Sequence, residues 1–326
     1  MMTLKRIGFL GLFIAVLALV TTIPATAQEP FPIRPIRMVV PYAPGGGVDA
    51  AGRALAQELS AHMPHPVVVE NVSGAGGVLG SQAVASAPAD GHTVLLVSVV
   101  VVTSQSMMKN PPFNTSKDLR AVSLVGSSPL VLTVHPSLPA TDVKSLVEHA
   151  KAHPGSLNYS SAGSGTTPHL AAELLRMQTG IDITHVPYRG SGPAMVDLIA
   201  GRIHIAFSSI AAAQPHIASG KLRGLATTGP RRAATMPELP TMIETVPGVE
   251  VDLWIAMFVP RATPDAIVTS LNQAVTKALK TEAVQQGFLR SGQETTGSTP
   301  QEAQAFINAE LEKWSRVTKE ARIEAQ

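Results

Sequence analysis

Met38-Val39-Val40-Pro41-Tyr42-Ala43-Pro44-Gly45-Gly46-Gly47-Val48-Asp49 holds the end of a strand, a loop and the start of a helix. The apolar run stops at Pro41, and over Val48–His62 the Ala, Leu and Gln content favours helix. Consecutive glycines at such a junction leave backbone N–H groups bare and let an anion come close. The first helical turn adds unpaired N–H groups and the positive end of the helix dipole. The stretch is either a carboxylate or phosphate site built without a charged side chain, or a tight turn. Its neighbours decide.

Strand-like runs recur at Ile36–Val40, Val67–Glu70, Thr93–Ser98, Val122–Val125, Leu130–Val134, Leu157–Ser160, Ile183–Val186, Ile203–Phe207, Leu222–Thr227 and Val251–Val259. Helix-like segments lie between them at Val78–Ala87, Asp142–His153, Pro168–Gln178, Pro193–Ala200 and Ala211–Ser219. This alternation predicts α/β architecture with largely parallel sheets. From Pro264 onward the chain reads as helical, with Ile267, Leu271, Val275, Ala278 and Leu279 on one face. Ligands of open α/β sheets bind beyond the carboxyl ends of strands, which directs attention to the loops that follow them.

Two more such loops share the chemistry of the first. Ser160-Ser161-Ala162-Gly163-Ser164-Gly165-Thr166-Thr167-Pro168-His169 leads into a helix capped by Thr166 or Thr167, with Pro168 in its first turn. Pro187-Tyr188-Arg189-Gly190-Ser191-Gly192-Pro193 is the other. Together they predict a binding cleft. Gly74-Ala75-Gly76-Gly77-Val78-Leu79-Gly80 lacks the dinucleotide spacing and reads as a turn that lets a helix pack closely on the sheet. Asp49 and Arg53 stand four apart and can pair. Asp49 either compensates its helix dipole or bonds the N–H groups of its own loop.

Catalytic signatures are sparse. No Gly-x-Ser-x-Gly elbow or Walker loop occurs, Ser106-Met107-Met108-Lys109 lacks companion motifs, and His149 with His153 reads as a helix end rather than a metal pair. No cofactor or metal is expected. An exported hydrolase or lyase using Ser161 and His169 stays as the alternative.

The amino terminus reads as an export signal over residues 1–27. Lys5 and Arg6 precede the apolar run Ile7–Val20, and Ala25-Thr26-Ala27 predicts cleavage after Ala27. The apolar run is shorter than the roughly 20 residues of a membrane span. The chain has 25 Lys+Arg against 23 Asp+Glu, and removing Lys5 and Arg6 leaves 23 against 23. Neither a nucleic-acid partner nor a membrane-surface patch is predicted. There is no cysteine, so neither disulfides nor a lipidated Cys enter the account. About 300 remaining residues suffice for two ordinary domains.

Taken together, the loops resemble the Bug, or TctC-type, extracytoplasmic receptors of tripartite tricarboxylate transporters. The resemblance rests on Arg34-Pro35-Ile36-Arg37 with Val39 to Asp49 and Arg53, then Val67-Val68-Val69-Glu70-Asn71 with Gly74 to Gly77, and Asp90-Gly91-His92-Thr93. It continues through Tyr159 to Gly165 with His169-Leu170, and His185-Val186-Pro187-Tyr188-Arg189-Gly190 with Asp197-Leu198 and Gly201. Val72, where many members carry Arg, and Ala256, where many carry Gly, depart from the pattern.

The resemblance implies a two-domain periplasmic-binding-protein clamshell, each domain a mostly parallel sheet flanked by helices. Domain 1 would comprise 28–127 plus 252–326, and domain 2 would comprise 128–251. The chain would cross near Val125–Pro129 and Glu250–Trp254, with the ligand between the domains. The expected first wall is Tyr42, Pro44, Gly45, Gly46, Gly47, Asp49 and Ser98. The expected second is Ser161, Gly163, Gly165, Thr166, His169, Tyr188, Gly190 and Ser209. The implied function is capture, in the periplasm, of a small mono- or dicarboxylate by a monomer, for delivery to the membrane components of a tripartite tricarboxylate transporter. A sensing receptor for a signalling partner is the other non-catalytic option.

Overall fold

The computed structural model describes residues 31–188, 190–233 and 235–320. The export signal and its cleavage site, and Arg189 of the third loop, lie outside the described residues. In chain order the elements are β1 (Ile36–Val40), α1 (Gly47–His62), β2 (Val67–Asn71), α2 (Val78–Ala85), β3 (Thr93–Val97), α3 (Val100–Met107), α4 (Thr115–Asp118) and β4 (Leu119–Val134). Then follow α5 (Val143–Ala152), β5 (Leu157–Ser161), α6 (Thr167–Thr179), β6 (Ile183–Pro187), α7 (Ser191–Ile199), β7 (Ile205–Ser209), α8 (Ile210–Ala218) and β8 (Arg223–Thr227). The chain closes with β9 (Asp252–Pro260), α9 (Asp265–Ala278), α10 (Glu282–Arg290), β10 (Glu294–Thr295) and α11 (Pro300–Glu320).

The strands run β2-β1-β3-β9-β4-β7-β5-β6, with β8 and β10 also on β4. Neighbours β1, β2 and β3 are parallel; β9 is reversed against both β3 and β4. On the other side β5, β6 and β7 are parallel, and β4 is reversed against both β7 and β8. Each half is therefore mostly parallel: β9 and the two-residue β10 are reversed in the first, β4 in the second.

β4 joins the halves. Leu119–Pro129 pair with β9, and Leu130–Val134 pair with β7. The expected separate runs Val122–Val125 and Leu130–Val134 are thus one strand of 16 residues, about 50 Å long at 3.3 Å per residue. Gly126, Ser127, Ser128 and Pro129 between the apolar runs look like a break in sequence, yet their ladder to β9 continues.

Strand periodicity explains why the central runs are apolar throughout. On β3, Leu95 and Val97 enter one core and Val94 and Leu96 the other. On β9, Trp254, Ala256 and Phe258 alternate with Ile255, Met257 and Val259 between the same cores. Helices cover both faces, so polar alternation is absent. Helix α1 buries Val48, Ala51, Leu55 and Leu59, and at Gly52 a Cβ would stand 3.1 Å from Leu96, so the helix rides close to the sheet.

The stretch from Pro264 is three helices and a short strand, broken at Gly292 and Gly297. Residues 100–107 form a helix although Val99 to Val102 are β-branched, because burial overrides propensity. Helix α11 braces the start of β9: Trp254 and Trp314 both donate their indole N–H to buried Glu310, at 2.8 and 2.7 Å. Among the described residues no helix is long and apolar enough to cross a membrane.

Candidate functional site

Behind β1, Asp49 organises the glycine loop. Its buried carboxylate accepts from Gly45 N–H at 2.9 Å, Arg53 Nε at 3.0 Å and Asn71 Nδ2 at 2.9 Å. Asn71 Nδ2 also donates to the Tyr42 carbonyl at 3.0 Å, and its Oδ1 accepts from Arg53 at 2.9 Å. Burial alone would raise the Asp49 pKa; the bonds from Arg53, Gly45 and Asn71 and the Arg53 charge outweigh it and hold the group below the ordinary carboxylate range. Asp49 therefore shapes the loop and its charge is already matched. Pro44, Gly45 and Gly46 are exposed, while Gly47 is half-buried. Burial pushes the Tyr42 phenol's pKa up, against a smaller lowering by the Ser98 backbone. The Ser98 hydroxyl is buried without a partner.

The second loop is held from beneath. Gly165 N–H donates to His169 Nδ1 at 3.0 Å. The Ser161 hydroxyl lies 2.7 Å from His185 Nε2 and accepts from Gly163 N–H at 3.1 Å. His169 and His185 stack at 4.0 Å, with the Tyr159 ring nearly parallel to both, 4.9 Å from His185 and 6.3 Å from His169. The Tyr159 hydroxyl donates to buried Glu173, which also takes Arg176 at 2.6 Å. Burial, with the nearby His185 and Arg176, lowers the His169 pKa to about 3, and burial lowers that of His185. Both imidazoles are thus neutral at pH 7. The Ser161/His169 pair of the alternative hydrolase or lyase reading does not form: His169 offers its ring nitrogen to Gly165, and the neighbour of Ser161 is His185. Thr166 occupies the N-cap of α6 as expected, but its hydroxyl donates to the Gly163 carbonyl at 2.7 Å rather than capping.

The third loop joins the second through Tyr188 N–H to the Ser161 carbonyl, 3.0 Å, and Gly190 N–H to the Ala162 carbonyl, 3.2 Å. The Tyr188 hydroxyl donates to Asp197 at 2.7 Å and braces the loop. Ser209 is the N-cap of α8 and makes no side-chain cap bond.

Contacts cross between the halves beside the loops, and also elsewhere, as where Arg231 meets Glu294 at 3.1 Å. The Thr103 hydroxyl of α3 donates to the Gly165 carbonyl at 3.2 Å; nearby, a Cβ at Gly76 would lie 3.7 Å from the Ser164 carbonyl. Beyond the other end, a Cβ at Gly292 would lie 3.0 Å from Ala211 N. The turn at Ala75–Gly77, which the sequence reads as packing only, touches Tyr42 as well: a Cβ at Gly77 would stand 3.0 Å from its ring. Close packing is present too, since a Cβ at Gly80 would meet Val72 and Pro41 below 3 Å.

Electrostatically, the helix starts fall into two sets. Helices α2, α3, α6, α7 and α8 have neither an acid in the first turn nor a side-chain cap, and α1 has only the matched Asp49. All six follow strands of the two parallel sets. The remaining starts carry an acid: Asp118 in α4, the Asp142 cap of α5, Asp265 in α9, Glu282 in α10 and Glu302 in α11. Unmatched helix starts bear partial positive charge, so the carboxyl ends of the parallel strands form an electropositive surface with few cationic side chains. Among the described residues no group of three His, Cys, Asp or Glu could hold a metal.

The pattern described as Tripartite tricarboxylate transporter family receptor matches residues 51–323. The chain belongs to this family. Its likeness extends to solved structures. Rpa4515 of R. palustris with adipate is 35% identical with a TM-score of 0.83, covering 90% of this chain and 99% of that one. The periplasmic binding protein BugD is 32% identical at a TM-score of 0.82, covering 91% and 100%. MatC of Rhodopseudomonas palustris with bound malate is 29% identical at 0.80, covering 88% and 99%. The receptor therefore has the two-domain periplasmic-binding-protein fold, and its family consists of binding proteins.

Sequence reasoning missed two contributors. Thr103 sits in a β-branched run without helical period. His185 stands among the family landmarks, but its tie to Ser161 needs strand register: Ser160 pairs with Val186.

Proposed function

We propose that this receptor is exported to the periplasm, loses residues 1–27, and captures a small mono- or dicarboxylate for delivery to the membrane components of a tripartite tricarboxylate transporter. The domains are 28–127 with 252–326, and 128–251, around an intervening cleft. One wall presents Gly45–Gly47 with Tyr42 and Ser98. The other presents Ser161–Thr166, Tyr188–Gly190 and Ser209. Backbone N–H groups hold the carboxylates, and His169 supports the second wall from below. No bond of the ligand is broken, and the protein acts as a monomer.

The observation that carries this reading is the clustering of acid-free helix starts behind the parallel strands. Such starts favour anions, and a ligand touching both walls stabilises the closed state by its differential affinity. The adipate and malate of the related structures are carboxylates of fitting size and charge. Titration calorimetry and thermal melting of the chain from Gln28 onward, against C3–C8 mono- and dicarboxylates, test it. A ligand at about 100 times its Kd adds about 2.7 kcal/mol of stability. Binding of a neutral or cationic solute with no response to any acid would overturn it.

A further inference from the structure

Helix α3, in the first half, meets the Ser161–Thr166 loop of the second. The Thr103 hydroxyl is within reach of two carbonyls, Gly165 at 3.2 Å and Val99 at 3.3 Å. Thr103 and Met107 are buried, and so is Gly165. Gly165 has a left-handed backbone, φ +77, and a Cβ there would stand 2.8 Å from Met107 Sδ and 3.6 Å from Thr103 Oγ1. Glycine at 165 therefore serves both the turn of the loop and the close approach of α3.

A hydroxyl has one proton to give, so the two carbonyls compete for it. The Val99 carbonyl already accepts from Val102 N–H at 2.9 Å and Thr103 N–H at 3.0 Å. For the Gly165 carbonyl, Thr103 is the only donor among the described residues. Val99 is the N-cap of the same helix and stays with Thr103 however the halves move. Gly165 belongs to the other half. When the walls part, the proton passes to the Val99 carbonyl, a bond that threonine makes four residues back in a helix, and water takes over at Gly165. Neither group is stranded. When the walls meet, the same proton satisfies a carbonyl that the contact has removed from water. The bond is made in one state only, which is the condition for biasing a two-state equilibrium.

We propose that Thr103 is a positioning residue for ligand capture: its hydroxyl latches the second wall to the first around the ligand, without touching the ligand. The proposal rests on the two-walled cleft read above, and not on the ligand being an acid.

Thr103→Val keeps the side chain's shape and removes the proton, leaving the Gly165 carbonyl buried and unpaired in the joined state alone. Calorimetry and stopped-flow binding on the chain from Gln28 onward, with succinate, malate and adipate among the C3–C8 acids, test the proposal. Every acid that the wild type binds is weakened about five- to thirtyfold in Thr103→Val, and by the same factor within about twofold. The change falls on dissociation, with the association rate kept within about twofold. Thr103→Ser retains the hydroxyl and stays within about threefold of the wild type. Unaltered affinity in Thr103→Val overturns the latch. So does a Thr103→Ser protein that loses as much as Thr103→Val, which would assign the effect to packing of the methyl group. A loss that differs about tenfold between acids also overturns it, because Thr103 would then contact the ligand. Should Thr103→Val not fold, Thr103→Ala is held to the same outcomes. If a neutral or cationic solute binds and no acid does, the carboxylate reading fails, while the latch faces the same test with that solute.

Discussion

Asp49→Asn removes one charge beneath the triple-glycine loop while keeping the side chain's shape. Three bonds converge on the carboxylate, from Gly45, Arg53 and Asn71, at 2.9 to 3.0 Å. Hydrogen bonds to a charged group are each worth about 1.5–3 kcal/mol net, but they do not simply add here. The Arg53 side chain is 54% exposed, so water replaces most of what it loses, and such a pair contributes about 1 kcal/mol or less. Asn71 keeps its bond to the Tyr42 carbonyl. The expected loss of unfolding free energy is therefore about 1–3 kcal/mol at pH 7. The sign with pH is fixed by the lowered native pKa. The carboxylate's stabilisation is complete above the unfolded pKa of about 3.9 and is lost as pH falls through the native value. Urea unfolding of both proteins at pH 7 and near pH 3 measures this: the gap between them narrows in acid. An equal gap at both pH values would refute the assignment of the effect to the ionised carboxylate.

Other perturbations separate binding from folding. Gly46 has an extended backbone, φ −80 and ψ 168, and a Cβ there meets nothing within 4 Å; Gly46→Val keeps the melting temperature within a few degrees and weakens carboxylate binding at least about tenfold. His169, neutral in the fold down to about pH 3, takes up protons in the unfolded chain below about 6.5. Its contribution therefore erodes as pH falls through that window, and His169→Gln flattens the acid side of the stability profile measured by urea unfolding. Asp252 begins β9 beside the change of halves; burial, then Glu250, raise its pKa to about 6 against the lowering by Lys313 and Arg231. The unfolded carboxyl ionises above about 3.9 while the native one stays protonated up to about 6, so stability falls across that window and Asp252→Asn raises unfolding free energy by about 1–2 kcal/mol at pH 7.5. At about pH 3, below both values, the two unfold alike.

Local chemistry made much of the fold legible. β1, the Gly-Gly-Gly loop and α1 read directly because burial, glycine content and helix propensity agree at each step. The Ser160–Thr166 loop and the Tyr188–Gly190 loop were equally plain. Legibility failed where the deciding partner is remote. Residues 99–103 look like strand, yet α11 and the strands bury them as a helix. The β4 segment Gly126–Pro129 looks like a linker, although β9 holds it in a ladder. His169 was named as a wall residue from its place after the loop, but its duty as acceptor for Gly165 N–H depends on the turn's three-dimensional closure.

The central claim is that backbone donors on two walls hold one carboxylate ligand. A crystal structure of the chain from Gln28 onward with the tightest-binding acid of the panel tests it most directly. The account predicts one carboxylate within about 3.2 Å of the backbone nitrogens at Gly46–Val48, with the rest of the same molecule bonded to N–H groups of the Ser161–Thr166, Tyr188–Gly190 or Ser209–Ala211 segments. A ligand held by lysine or arginine side chains, or seated away from both walls, would contradict it.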